Sequence, residues 1–297
     1  ALHADTHMQV RRAHAFQLTL REVFDGAAPA ERQKMLAAQL NLHGSVVRQA
    51  AVVREVLGVS LVDQIGWRSD EVALKRWRES VEGLGIFVFK APFKQKDISG
   101  FCLPADDFPL IYLNNSTTKT RQTFSLLHEL AHLLLNVAGI SKFDTEYIRR
   151  LPASEQRVEV FCNQMASEML MPSADFLLQA SKLPDNVEAL PDYVFADLGN
   201  RYGVSREAVL RRFLDQGRVG QSFYEAKAKF WAGQKRASSG GDWYASQNTY
   251  LSERLAREVV RRHYRNQISV EQASEYLGIK AKNFAGLEQR ILQGAAA

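Results

Sequence analysis

The chain is poor in cysteine and in long apolar runs, and each shortage excludes something. Only two cysteines, Cys102 and Cys162, occur in 297 residues. That count argues against a disulfide framework and fits a reducing, cytoplasmic compartment. No run approaches the roughly eighteen apolar residues that a membrane-spanning helix needs. The N-terminal stretch lacks the basic, apolar and small-residue order of an export signal, and the histidines of Ala1-Leu-His-Ala-Asp-Thr-His7 are given no weight. No period of twenty to fifty residues repeats, so a solenoid is not indicated. A hydrophobic fraction of 46% with 24% charged residues excludes disorder as the dominant state.

What is present is unevenly distributed. The net charge is +5, yet residues 201–297 hold 17 Lys/Arg against 9 Asp/Glu, which leaves the rest of the chain mildly acidic. A basic C-terminal third reads either as a polyanion contact or as a solvated basic face. The length suits two domains better than one. Residues from about Ala30 to Leu57 read as helices, with Gly58 as a stop. The Ser69-Asp70 pair caps a helix carrying Val72, Leu74, Trp77 and Val81. Short β-rich runs follow at Ile86–Phe89, Ile98–Leu103 and Leu110–Leu113, bounded by Pro92, Pro104 and Pro109. Helices are predicted over about Thr118–Asn136 and Ser154–Leu170, with a break at Met171-Pro172-Ser173. This is an α+β pattern. From Asp192 onward the reading is helical. A helix-turn-helix-like pair lies at Ala196–Leu214, and a looser echo spans Ile268–Ile291. Between them, Gly233–Asp242 has the composition of a linker. The division this suggests is an N-terminal helical segment over 1–68, a core over 69–180 and a helical C-terminal domain over 181–297.

The residues that carry chemistry are His128-Glu129-Leu130-Ala131-His132. On a helix, positions i and i+4 share a face, so both imidazoles can reach one metal ion. Glu129 lies beside them and can take a proton from water at that metal. Two neutral imidazoles, a carboxylate and one open position suit Zn2+. By chance this spacing would arise in roughly one chain in a hundred of this length. Its setting in an apolar helix makes chance a poorer account, because buried imidazoles and a buried carboxylate are costly without a metal. A third ligand is required, and Glu155, Glu159, Glu168, Asp144 and Glu146 are available. Glu159 is the best choice. Asn163 follows it by four residues on the same helical face, where its amide can hold a ligating histidine through the free ring nitrogen.

The runs Phe124-Ser-Leu-Leu-His-Glu-Leu-Ala-His-Leu-Leu-Leu135 and Glu159-Val-Phe-Cys-Asn163-Gln-Met-Ala-Ser-Glu-Met-Leu-Met-Pro172 resemble the metallopeptidase core of the ImmA/IrrE family. That family shows a Glu followed by Ala-Asn-x-Phe-Ala and Leu-Leu-Met-Pro. The chain departs from it at Cys162, where Ala is usual, and at Met165, where Phe is usual. The Leu110-Ile-Tyr-Leu-Asn-Asn115 strand also fits, and the resemblance is strongest over residues 70–175. It implies a zincin-like core with a small antiparallel or mixed sheet and the zinc-binding helix, followed by a mainly helical domain. It also implies cleavage of a helix-turn-helix repressor in response to DNA damage or phage attack. A subset called CapP, found in anti-phage (CBASS) operons, acts on the repressor CapH, and its activity is associated with single-stranded DNA; the chain resembles this subset.

Cys102 lies in a strand just upstream of the one leading to the zinc helix. In peptidases of this architecture an edge strand there lines the cleft and can pair with substrate. A thiolate is a strong zinc ligand, so Cys102 can be read as an inhibitory ligand in the open position, or simply as a small buried side chain. Tyr112 and Tyr147 are the candidates to face a developing oxyanion. In the basic C-terminal third, Arg206, Arg211 and Arg212 on one helix and Arg261, Arg262 and Arg265 on another are the candidate nucleic-acid contacts, with Tyr264 able to stack on a base. A second reading is a DNA-binding regulator or antitoxin-type interaction protein whose zinc site is structural or vestigial. The intact Glu129 disfavours it, since a structural site has no use for that base.

Overall fold

Hydroxyl caps set the helix boundaries. Ser69, Thr118 and Ser205 each accept the backbone N–H three residues on (Val72, Arg121 and Ala208), which satisfies donors that a helix start leaves open. Gly58 (φ +67°) and Gly203 (φ +68°) close helices in the left-handed conformation, where a side chain would be strained. The computed structural model describes residues 2–95, 97–142, 145–234 and 250–295, so most of the expected linker lies outside the described residues. In chain order the elements are α1 (Ala4–Val23), α2 (Arg32–Ala37), α3 (Val46–Leu57), α4 (Leu61–Gly66), α5 (Asp70–Glu82), β1 (Phe87–Ala91), β2 (Ile98–Leu103), β3 (Leu110–Asn114), α6 (Lys119–Leu134), β4 (Gly139–Lys142), α7 (Thr145–Arg150), α8 (Ala153–Leu170) and α9 (Ser173–Ala180). Then follow α10 (Asp192–Tyr202), α11 (Arg206–Asp215), α12 (Gln221–Ala232), α13 (Glu253–Tyr264), α14 (Val270–Leu277) and α15 (Phe284–Ala295). None of these helices is long and apolar enough to cross a membrane.

The sheet has the order β1-β3-β2-β4. β1 runs parallel to β3, while β2 is antiparallel to both β3 and β4. Three of these strands are the runs expected from sequence; β4 is an addition, and it makes β2 an interior strand rather than an edge. The opposite edge, β1, is closed by side chains of α5. Arg78 donates to the Val88 carbonyl at 2.7 Å, and the Glu82 carboxylate accepts from the Val88 N–H at 3.2 Å. An exposed strand edge is thereby removed.

Both faces of the sheet are buried, so the strands are apolar at almost every position. One face (Val88, Cys102, Ile111, Leu113) packs with α3, α5, α6 and α8 into a first core that extends to Val204–Trp231. The other (Phe87, Phe89, Phe101, Leu110, Tyr112) packs with α1 and α13–α15 into a second. Ring stacking carries this second core: Phe16 lies 4.2 Å from Phe89, and Phe101 lies 5.2 Å from Tyr112. The cores cut across the segments 1–68, 69–180 and 181–297, because α1 and α13–α15 meet behind the sheet while α3 and α10–α12 join the first core. A buried polar junction ties the two together. Glu82 accepts from Ser252 Oγ at 2.6 Å, and Arg78 donates to the Leu251 carbonyl. Burial pushes the Glu82 carboxyl up, with Arg78 and Ser252 opposing.

Trp77 is fully buried on α5, with Trp67 edge-on at 5.6 Å and the Arg54 guanidinium 5.5 Å from its ring. Trp77→Ala is expected to cost about 3–5 kcal/mol, read as a lower urea midpoint at unchanged slope. A loss below about 1 kcal/mol would contradict this packing.

Candidate metal centre

α6 is buried along nearly its whole length, and its apolar residues Leu126, Leu127, Leu130, Leu133 and Leu134 explain why. Helical spacing puts His128 and His132, 3% and 1% exposed, on the face turned to α8. Their Nε2 atoms lie 3.1 Å apart. Glu159 projects from α8 between them, with Oε2 3.4 Å from His128 Nε2 and Oε1 3.3 Å from His132 Nε2. Among the described residues these three form a group able to hold a metal ion.

The donor set fits zinc. Ligands about 2.0–2.1 Å from one ion at tetrahedral angles are separated by about 3.3 Å, the spacing these three side chains already have. The electrostatics agree. Burial pushes the Glu159 carboxyl up, but hydrogen bonds with both imidazoles outweigh it and hold the group down at about 2. At His132 burial favours the neutral ring, yet the Cys162 thiol and Glu159 push it up to about 11. The cluster therefore favours a positive charge at its centre, and a cation must displace a proton to bind there.

Glu129 is fully buried one residue along, turned toward β2. Cys102 meets it there. Burial and the Glu129 carboxylate push the Cys102 thiol well up, and its Sγ lies 3.7 Å from the Val137 carbonyl. Cys102 thus sits beside the motif's carboxylate, and the group able to hold a metal among the described residues is formed without it. β4 covers it, so its strand is not the cleft edge. β4 passes close to the second imidazole at Gly139, where a Cβ would stand 3.0 Å from His132 Cε1 and 3.1 Å from Nδ1.

Asn163 does not hold a histidine. It is half-buried without a side-chain hydrogen bond among the described residues, and Nδ1 of both His128 and His132 lacks a partner. Helical phase is the reason. Three residues past Glu159, Cys162 comes round to α6 and its thiol meets His132, while Asn163 falls on the rim. Glu168 is a cap, accepting from the Ser173 N–H and hydroxyl, each at 2.7 Å. Glu155 is exposed. Tyr112 is on the far face of the sheet, its hydroxyl 3.3 Å from Gln9 Oε1 and pushed up to about 12 by burial, so it does not face the cluster. Asp144 and the side chains of Glu146 and Tyr147 lie outside the described residues.

The arginines divide by helix. On α11, Arg206 lies 4.7 Å from the Trp231 ring and bonds Gln234. Arg211 pairs with Asp215 at 3.1 Å over the Tyr224 ring. Arg212 is committed to Glu168, the Met171 carbonyl and Ser173 Oγ, which rules it out as an outward contact. On α13, Arg262 pairs with Asp25 at 2.5 Å and is only 19% exposed. Arg261 and Arg265 are exposed.

Sequence reasoning missed Gly139 and read Cys162 as packing beside Asn163, whereas its thiol meets His132. Asn136, a helix stop with φ +57°, was the available signal that the chain turns back after α6. Glu159→Ala and His128→Ala are expected to lose zinc on dialysis against a chelator, while Glu129→Gln keeps it at one per chain. Gly139→Ala should weaken zinc binding about 10- to 100-fold by displacing the His132 ring. Unchanged zinc affinity in Gly139→Ala would show that β4 does not support the ligand.

The comparisons with known proteins agree with this geometry. No curated protein matches the chain. Residues 81–214 match the family model of the IrrE N-terminal-like domain, peptidase family M78. That span contains β1–β4, both imidazoles, Glu129 and Glu159. Over residues 81–214 the chain carries a domain of the ImmA/IrrE metallopeptidase type.

Proposed function

We propose that this chain is a zinc-dependent endopeptidase that cleaves a helix-turn-helix repressor, with single-stranded DNA as the trigger, in a DNA-damage or phage-defence response. The observation that carries the peptidase reading is the buried His128–His132–Glu159 cluster with Glu129 next to it on the same helix. His128, His132 and Glu159 would hold the ion. Zinc supplies polarisation of the scissile carbonyl and a water made acidic enough to lose its proton near neutral pH. Glu129 takes that proton on its carboxylate and passes it to the leaving amine. Its full burial keeps bulk water from competing for the carboxylate.

Substrate orientation follows from the sheet. β1 is closed by Arg78 and Glu82, whereas β4 is the outer strand on the His132 side. An extended peptide adding to β4 would pass the cluster, and Gly139 lets the strand lie close to it. The repressor substrate, CapH-like in the resembled subset, and the DNA trigger rest on the family resemblance and on the basic C-terminal third. Both cysteines are unpaired, which suits a cytoplasmic setting.

A gel assay against a helix-turn-helix repressor encoded beside the gene tests this, with wild type and Glu129→Gln each run with and without single-stranded DNA. Wild type is expected to cut, more with DNA, and Glu129→Gln to be slower by about 100- to 10,000-fold. Equal cutting by both would remove Glu129 from the reaction. Cutting indifferent to DNA would remove the trigger and leave the peptidase.

A further inference from the structure

Two basic helices could contact a polyanion, and the fold makes them unequal. Of the α11 arginines, Arg206 lies on the Trp231 ring and Arg212 is held by Glu168, while Arg211 is exposed beside Tyr224 and Asp215 as the outward cation of that row. Arg201 on α10 is held by Asp175 at 3.0 Å. α13 is different. It buries Leu255, Ala256, Val259 and Val260 against the second core. Its opposite face presents Arg257, Arg261, Tyr264 and Arg265, at helical spacings of four, seven and eight residues from the first. The side chains of Arg257 and Arg261 are 50% and 59% exposed, and Tyr264 is 60% exposed. Arg265, also exposed, has no ion pair among the described residues. Glu253 and Glu258 flank the stripe as single-turn partners of Arg257 and Arg261. Such single-turn pairs contribute only a few tenths of a kcal/mol, and Glu258, 13% exposed, is shared with Arg262, so both arginine heads remain open to a phosphate.

We propose that the outer face of α13 binds single-stranded nucleic acid, with Arg257, Arg261 and Arg265 on successive phosphates and Tyr264 stacked on a base. Arg257 and Arg265 stand about 12 Å apart along the helix, a span of a few nucleotides. The charges are aligned rather than scattered, and an exposed tyrosine at the end of the row supplies the π-face on which an unpaired base stacks. A duplex keeps its bases stacked on one another and leaves Tyr264 unused. This face would be the input of the trigger proposed above and rests on that reading for its consequence, although binding is measurable without cleavage.

The test is fluorescence anisotropy of a labelled oligothymidylate with the zinc-loaded Glu129→Gln protein, residues 1–297, at two salt concentrations. Replacing Arg257, Arg261 and Arg265 together with Gln should weaken binding more than tenfold and flatten the log–log salt slope by about 2. Tyr264→Ala should weaken it about tenfold with the slope unchanged. The charge-matched control, Arg11→Gln with Arg48→Gln and Arg68→Gln at exposed positions elsewhere, should bind like the parent. No binding by the parent, equal losses in both triple variants, or tighter binding of a duplex of the same length would each overturn the assignment. Because every arm reads binding in the Glu129→Gln background and none reads cleavage, failure here leaves the peptidase reading standing, and failure of repressor cleavage leaves this surface standing.

Discussion

The contact between α6 and α8 is the constraint on which the rest of the structure depends. α6 buries two imidazoles and a carboxylate within two turns of one helix, among Leu126, Leu127, Leu130, Ala131, Leu133 and Leu134. Unpaired, each such group would cost several kcal/mol. Glu159 from α8 compensates the imidazoles and gathers three ligand-type atoms within 4.8 Å of one another. The same contact that completes the core therefore assembles the site, and a shift between the two helices would lose both. A purely apolar interface would be more stable at this position, so the polar cluster is explained by chemistry rather than by folding.

That dependence accounts for the polar side chains around α8. Arg54 donates to the Met169 carbonyl at 2.5 Å and to Gln64 Oε1 at 2.6 Å; Gln64 in turn donates to the carbonyls of Leu170 and Tyr202, each at 2.8 Å. Burial pulls the Arg54 guanidinium down to about 10, so it stays charged near neutral pH and keeps the carbonyls at the end of α8 bonded. Arg212 and Glu168 join the end of α8 to the start of α9 and to α11. The helix-turn-helix-like pair α10–α11 thus acts as a brace for the ligand helix. Two of its arginines, Arg201 and Arg212, are held by carboxylates of α9 and α8.

Much of this was legible in the sequence, where local rules decide. Caps at Ser69 and Thr118, the stop at Gly58, three strands between prolines and the spacing of His128 and His132 all depend on near neighbours. Glu159 was legible too, through its place on the next helix. What was not legible depends on partners far away in the chain. β4 is a short strand that exists because β2 offers it an edge. α1 has its role only because Phe16 stacks on Phe89, 73 residues later. Whether Cys162 or Asn163 meets His132 is a matter of helix phase at an interface whose crossing angle no local rule sets. The Tyr112 face was readable in principle, since Ile111 and Tyr112 must point to opposite sides of the sheet.

Among the described residues the sheet stands between the two cores, and this limits how an event behind it can reach the His128–His132–Glu159 cluster. Phe101 on β2 stacks with Tyr112 on the back, while the next residue, Cys102, meets Glu129 on the front. On the outer side of β2, β4 lays Gly139 on His132. Pairing between β1 and β3 and between β3 and β2 is regular, but the β2–β4 register shifts between Ile98 and Gly100. A packed core has discrete arrangements rather than a continuous range. Coupling therefore requires an element with two settings that both sites can bias. β4 meets that requirement best: it pairs with one strand only, its register is already irregular, and its first residue touches a ligand. A nucleic acid on α13 would change catalysis to the extent that it altered how β2 and β4 pair, because α13 itself makes no contact with the cluster and the remaining wall is closely packed.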